Sequence, residues 1–176
     1  MIDKALVLDG QGKAQIDAGG RGSVVTVTAE DVVIRGLRLT GSGNSHQSID
    51  SGVQLTRTAR RVLVEGNRIE GNLYGVDIHG ARDSIVRGNT IIGRQGHRMN
   101  ERGNGIYVWN APGAVVEGND VRYGRDGIFT NTSRKNVFRN NTFRDLRFAV
   151  HYMYTHDSEV SGNVSIGNHL GYAIMF

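Results

Sequence analysis

Apolar residues alternate with polar ones in short runs along most of the chain, and each run starts just after a small residue. Val76 and Ile78 flank Asp77 behind Gly75, and Ile85-Val86 leads into Gly88-Asn89. The first pattern recurs at Gly52-Val53, Gly75-Val76, Gly105-Ile106, Gly127-Ile128, Ala149-Val150 and Ala173-Ile174. The second recurs at Gly66-Asn67, Gly88-Asn89, Gly118-Asn119, Asn140-Asn141 and Gly162-Asn163, with Gly36-Leu37 as a degenerate first copy. Successive second anchors stand 30, 22, 30, 22 and 22 residues apart. Alternation over four or five residues predicts strands, and a fixed period of this length predicts a solenoid. No copy is long enough to bury its own apolar face, so each must stack on its neighbours.

Three short strands fit into each period. One follows the first anchor, one ends at Gly-Asn, and one follows it, with Ile69, Ile91, Val121 and Phe143 three residues after the anchor and Ser165 breaking step. No stretch has a 10–15-residue helical pattern. The expected fold is an all-β, right-handed parallel β-helix of about six coils, since parallel crossovers are almost always right-handed. It forms a single domain over 1–176, with opening coils in 1–50, regular coils in 51–172 and the start of another coil in 173–176. In the opening segment, Ala5–Leu8 is expected to be a strand, with turns at Asp9-Gly10 and Gly19-Gly20. The apolar last residues suggest a fragment of a longer protein. Asn67, Asn89, Asn119, Asn141 and Asn163 are expected to stack at one corner as a structural amide ladder. The two 30-residue intervals place eight extra residues at one point of the coil, in the polar and flexible loops 41–51 and 94–103, and insertions of this kind often border a binding side.

Side chains in a strand alternate between faces. If the apolar first and third positions after each anchor point inward, the second and fourth point outward. Up the stack, the second positions are Gln54, Asp77, Tyr107, Phe129, His151 and Met175, and the fourth are Thr56, His79, Trp109, Asn131 and Met153. That row of aromatic, imidazole and thioether groups is unlike a solvated face. His79, Tyr107, Trp109, Phe129 and Asn131 are read as a partner-binding surface.

Composition narrows the chemistry. Of 176 residues 25 are Gly and one is Pro, and there is no Cys, so thiolate metal sites and disulfides are excluded. The net charge is +4 with both signs dispersed, which argues against nucleic-acid binding. No transmembrane run is present, and residues 1–30 are not expected to act as a signal peptide. A carboxylate pair of the glycosidase kind is not apparent, nor are phosphate-loop or nucleophile-elbow motifs. The expected role is therefore non-catalytic. His151, Met153 and Met175 are expected to face outward together, His151 opposite Met175. An imidazole–thioether set favours Cu(I). The second choice for copper is His97 with Met99. A carbohydrate-binding or carbohydrate-modifying β-helix is the alternative reading, because sugars also stack on aromatic faces.

The strings VVTVTAEDVVIRGLRLTGSG (24–43), YGVDIHGARDSIVRGNTIIG (74–93), RMNERGNGIYVWNAPGAVVEGNDVRYGRDGIF (98–129) and RFAVHYMYTHDSEVSGN (147–163) carry a resemblance. They resemble the NosD family within the carbohydrate-binding and sugar-hydrolase class of β-helices. The resemblance implies a periplasmic copper-handling accessory protein of nitrous-oxide reductase maturation in denitrification. It also implies an ABC transporter (ATPase and membrane subunit), a copper chaperone and the reductase itself as partners. It transfers no ligand positions, so the His/Met set rests on the residues alone.

Overall fold

The computed structural model describes residues 1–176 and is a parallel β-solenoid with no α-helix; one 3-10 turn spans Met99–Glu101. One wall is a seven-stranded parallel sheet formed by Val25–Val27, Ser51–Leu55, Tyr74–His79, Ile106–Trp109, Asp126–Asn131, Phe148–Met153 and Leu170–Met175. The rest of each coil belongs to a 12-stranded sheet, bent at the Gly-Asn corner. Four of the corner glycines, Gly66, Gly88, Gly118 and Gly162, have φ between 62° and 65°, a region that costs a residue with a Cβ, and Asn140 takes the same conformation in the sixth coil.

The stack is longer than the six coils expected, at about eight turns. The extra turns come from both ends. Val7–Asp17 is one long strand that rounds the corner and pairs with both halves of Val33–Thr40, Val7 against Val33 and Ala14 against Leu37. The Asp9-Gly10 turn is thus a register irregularity between Asp9 and Ala14 within a first coil. At the other end, Leu170–Met175 supplies the first strand of the eighth turn. Its anchor is Gly171-Tyr172, because Val150 pairs with Tyr172 and Tyr152 with Ile174. Placing the anchor at Ala173-Ile174 was two residues late: Tyr172, Ala173 and Ile174 are all apolar, and only the stacking keeps the period.

The core runs up the axis as one cluster of 29 buried residues. In the fourth coil it takes Val76, Ile78, Ala81, Val86 and Ile91, each at most 2% exposed. Burying a Val or Ile side chain contributes roughly 1.5–3 kcal/mol, and much of the burying surface here is supplied by the neighbouring coils. Val160 and Ile174 hold equivalent inward positions at the end of the stack and are exposed.

The first anchor is small because the third strand fills the space beneath it. A Cβ on Gly52, Gly75, Gly105 or Gly127 would lie 2.3–2.5 Å from a side-chain carbon of Ile69, Ile91, Val121 or Phe143 respectively. Where Ala149 replaces the glycine, Ser165 replaces the large residue; register pairing sets them against Gly127 and Phe143. The break of step at Ser165 thus matches the added methyl group.

The five asparagines form the expected ladder. The side-chain oxygens of Asn89, Asn119, Asn141 and Asn163 each accept from the backbone N–H and the side-chain amide of the asparagine one coil below, at 3.0–3.1 Å, and that of Asn67 accepts from the Leu37 N–H at 3.1 Å. Each amide also donates to a backbone carbonyl, Asn119 to Val86 at 2.9 Å. On the outside of the same sheet, Asp9, Arg35, Glu65, Arg87, Glu117 and Arg139 occupy one column with alternating sign, and three of the steps are ion pairs of 2.8–3.0 Å. Opposite charges in register stabilise a sheet modestly.

Candidate functional site

The outer face of the seven-stranded sheet carries the aromatic row. Register sets Gln54 beside Asp77, Asp77 beside Tyr107, Tyr107 beside Phe129 and Phe129 beside His151. The second column is Thr56, His79, Trp109, Asn131, Met153 and Met175. Tyr107 and Phe129 stack at 5.3 Å and 8° between planes, and His79 stacks on Trp109 at 4.4 Å and 18°. Tyr107, Trp109, Phe129 and Asn131 are half-buried.

Met175 stands opposite Met153, not His151, whose neighbour in the eighth turn is Ala173. This corrects the expected pairing and follows from the late anchor. His151 is on the outer face yet only 8% exposed. Its ring lies between Phe129 at 4.8 Å and Phe148 at 5.2 Å, turned toward the start of the strand and away from Met153. Met153 is half-buried, and Met175 is 44% exposed. The alternative pair sits in the second inserted loop, His97 exposed and Met99 half-buried at the start of the 3-10 turn. No three His, Cys, Asp or Glu side chains gather as a metal cluster.

His151 has a partner that the sequence did not suggest. Its Nδ1 lies 3.1 Å from Asp126 Oδ2. Both Asp126 oxygens also accept from Arg147, at 2.8 and 2.7 Å, and the Arg147 guanidinium lies 4.5 Å over the Phe148 ring. A carboxylate that accepts from a guanidinium fork accepts from the imidazole too, so Nδ1 carries the proton. Nε2 of a neutral His151 is then a lone pair, buried and without a hydrogen-bond partner. Beside it opens a cavity of about 260 Å³ lined also by Tyr74, Arg102, Asn104, Arg125 and Phe129. The sequence did carry one signal for this site. Arg125-Asp126-Gly127-Ile128 and Arg147-Phe148-Ala149-Val150 are the same stretch one coil apart, which stacks the two arginines.

The inserted loops border this face as expected, but they are tied down. Arg94 donates to the carbonyls of Ser42 at 3.0 Å and Gly43 at 3.1 Å, and to Asn44 Oδ1. His46 bridges the Tyr74 hydroxyl at 2.9 Å and the Glu101 carbonyl at 3.1 Å.

Asp77 is fully buried, and burial pushes its pKa up against the opposing pull of His79 and Gln54. Its Oδ2 accepts from Gln54 at 3.2 Å, and its Oδ1 lies 3.7 Å from His79 Nδ1, an ion-pair distance rather than a hydrogen bond. That carboxylate raises the His79 pKa above the usual value near 6.5, burial working the other way. Asp77→Asn keeps an oxygen for Gln54 and removes the charge. The His79 titration midpoint, followed by NMR of its ring protons, is therefore expected to fall in the variant. An unchanged midpoint would show that Asp77 does not act on it.

With this geometry in place, two kinds of comparison bear on the chain. Residues 91–176 match the family model described as "Periplasmic copper-binding protein (NosD)". The chain is 37% identical over 126 residues to the "Probable ABC transporter binding protein NosD" of Stutzerimonas stutzeri, and 34% identical over 127 residues to the protein of that name from Pseudomonas aeruginosa. Each alignment covers 72% of this chain. The chain belongs to the NosD family. It spans 29 and 30% of the length of those two NosD relatives. Among solved structures, a double mutant of the periplasmic alginate epimerase AlgG superposes with a TM-score of 0.70 at 16% identity, over 98% of this chain and 46% of that one. The Dettilon tailspike protein superposes at 0.56 and 17%, over 93% and 42%. At such identities the NosD chain shares with them the β-helix fold alone. No helix of the chain is long and apolar enough to cross a membrane.

Proposed function

We propose that this chain is a non-catalytic, periplasmic copper-handling and docking module. Copper is its cargo, passed toward assembly of the copper-sulfide centre of nitrous-oxide reductase. The family description supports the metal and the compartment, and the relatives' printed name supports an ABC transporter as partner. The observation that carries the copper reading is the Met153–Met175 pair, two thioether side chains in register on adjacent strands, which lie about 4.8 Å apart. His151, two residues before Met153 on the same face, has an Nε2 without a protein partner, and its ring would have to turn from Asp126 to join the pair. Thioether with imidazole, in the absence of thiolate, favours Cu(I). His79, Tyr107, Trp109, Phe129 and Asn131 offer the transporter's ATPase-linked membrane subunit, a copper chaperone or the reductase a half-buried, largely aromatic surface, the kind that anchors interfaces.

Anaerobic Cu(I) titration against a competing chelator tests this. Met153→Ala and Met175→Ala are each expected to weaken binding about tenfold, roughly 1.4 kcal/mol, with the fold unchanged because neither fills the core. Parental affinity in both variants would move the ligand set to His97 and Met99 or refute copper binding by this chain. A second reading, carbohydrate binding or modification, is favoured by the stacked aromatic row and the Asp126–His151 pair. An oligosaccharide screen run beside the copper titration separates the two.

A further inference from the structure

We propose that the cavity between Arg102, Arg125 and His151 binds a hydroxylated carboxylate the size of one sugar-acid residue. The inference rests on the carbohydrate reading and sharpens it by naming a ligand class; it shares His151 with the copper reading but needs no metal.

Three guanidinium groups and one carboxylate line the cavity. Asp126 is taken up by Arg147. Arg102 spends Nε and one Nη on loop carbonyls, those of His97 and Gln95, and neither it nor Arg125 has an acidic partner. Arg125 and Arg147 stack on adjacent coils, with Arg147 N–H donating to the Arg125 carbonyl at 2.6 Å. Two unneutralised cations facing one small space call for an oxyanion, and the guanidinium fork suits a carboxylate or a phosphate.

The other walls choose between these. A volume of about 260 Å³ is far larger than a bare inorganic ion needs, a water occupying about 30 Å³ of liquid. In neutral His151 the buried Nε2 is an acceptor and requires a donor, which an ionised carboxylate lacks and a hydroxyl supplies. Asn104 uses its oxygen on the Asp126 N–H at 3.3 Å, which leaves its amide protons for ligand oxygens. Phe129, stacked on Tyr107 and tilted against His151, lines the cavity as an apolar wall for carbon-bound hydrogens. An oxyanion, a neighbouring hydroxyl and an apolar wall together describe a hexuronate.

The test is calorimetric titration of metal-free protein with glucuronate, galacturonate, glucose and inorganic phosphate. A uronate is expected to bind saturably, with glucose and phosphate at least about tenfold weaker, the weight of one charge-assisted contact. Arg125→Ala should weaken the uronate about tenfold with an unchanged circular-dichroism spectrum, since Arg125 holds nothing else in place. Absence of uronate binding, equal binding of phosphate or glucose, or parental affinity in Arg125→Ala would each overturn the proposal. Neutral oligosaccharides that bind without any uronate preference would overturn it too, yet leave the carbohydrate reading of the aromatic row standing.

Discussion

Asn119→Ala is expected to lower the unfolding free energy by about 4 kcal/mol, measured by chemical denaturation. Asn119 is 2% exposed and holds the middle of the ladder. Its removal strips a partner from the Asn89 N–H, from one proton of the Asn89 amide and from the Val86 carbonyl. A buried polar group left unpaired costs about 1–3 kcal/mol. Three such groups in a dry corner outweigh the small helpful effect of burying a methyl group instead. Asn163→Ala is the control. Asn163 is only half-buried, so water can replace its amide, and the loss is expected to be less than half as large. Equal losses at the two positions would show that the ladder is not held by desolvated hydrogen bonds.

Gly127→Ala is expected to cost about 3 kcal/mol, the upper part of the range for overpacking a filled core. The new methyl would meet Phe143 Cδ1 at 2.3 Å and the Ala149 carbonyl oxygen at 2.5 Å, and the second of these is backbone that cannot turn aside. The seventh coil shows how the chain admits such a methyl, since Ala149 there is matched with Ser165. Adding Phe143→Ser to Gly127→Ala should therefore cost less than the two single losses combined. Phe143→Ser alone creates a cavity costing about 3–5 kcal/mol. A double-mutant cycle reads the coupling directly, and strictly additive losses would refute the steric account.

Much of the architecture was legible because the β-helix repeats its physics. The Gly-Asn corners needed a left-handed residue and a stacking amide once per coil, at 22 residues or at 22 plus an eight-residue insertion, so Asn67 to Asn163 could be placed from spacing alone. The outward columns followed from strand alternation. The last coil could not be phased that way. Tyr172, Ala173 and Ile174 gave three apolar candidates, and only pairing with Val150 and Tyr152 fixed Gly171 as the anchor. The first coil was hidden for the opposite reason, since Val7–Asp17 rounds its corner through Gln11 and Gly12 without a Gly-Asn step. At the site, alternation put His151 on the correct face but could not tell that its ring turns back to Asp126. There the ring bonds Asp126, which Arg147 holds, and lies between Phe129 and Phe148, and a side chain's direction within its face leaves no periodic trace.

The Arg94 and His46 bonds make the two inserted loops a single cassette, although 42 residues (52 to 93) lie between them in the chain. Anyone transplanting the specificity of this face onto another β-helix would have to move both segments at once, with Arg94 and Tyr74 as the fasteners. Either loop grafted alone would arrive without the surface that shapes it. The same linkage means that a length change in one segment must be answered in the other, while the coils between them keep their step.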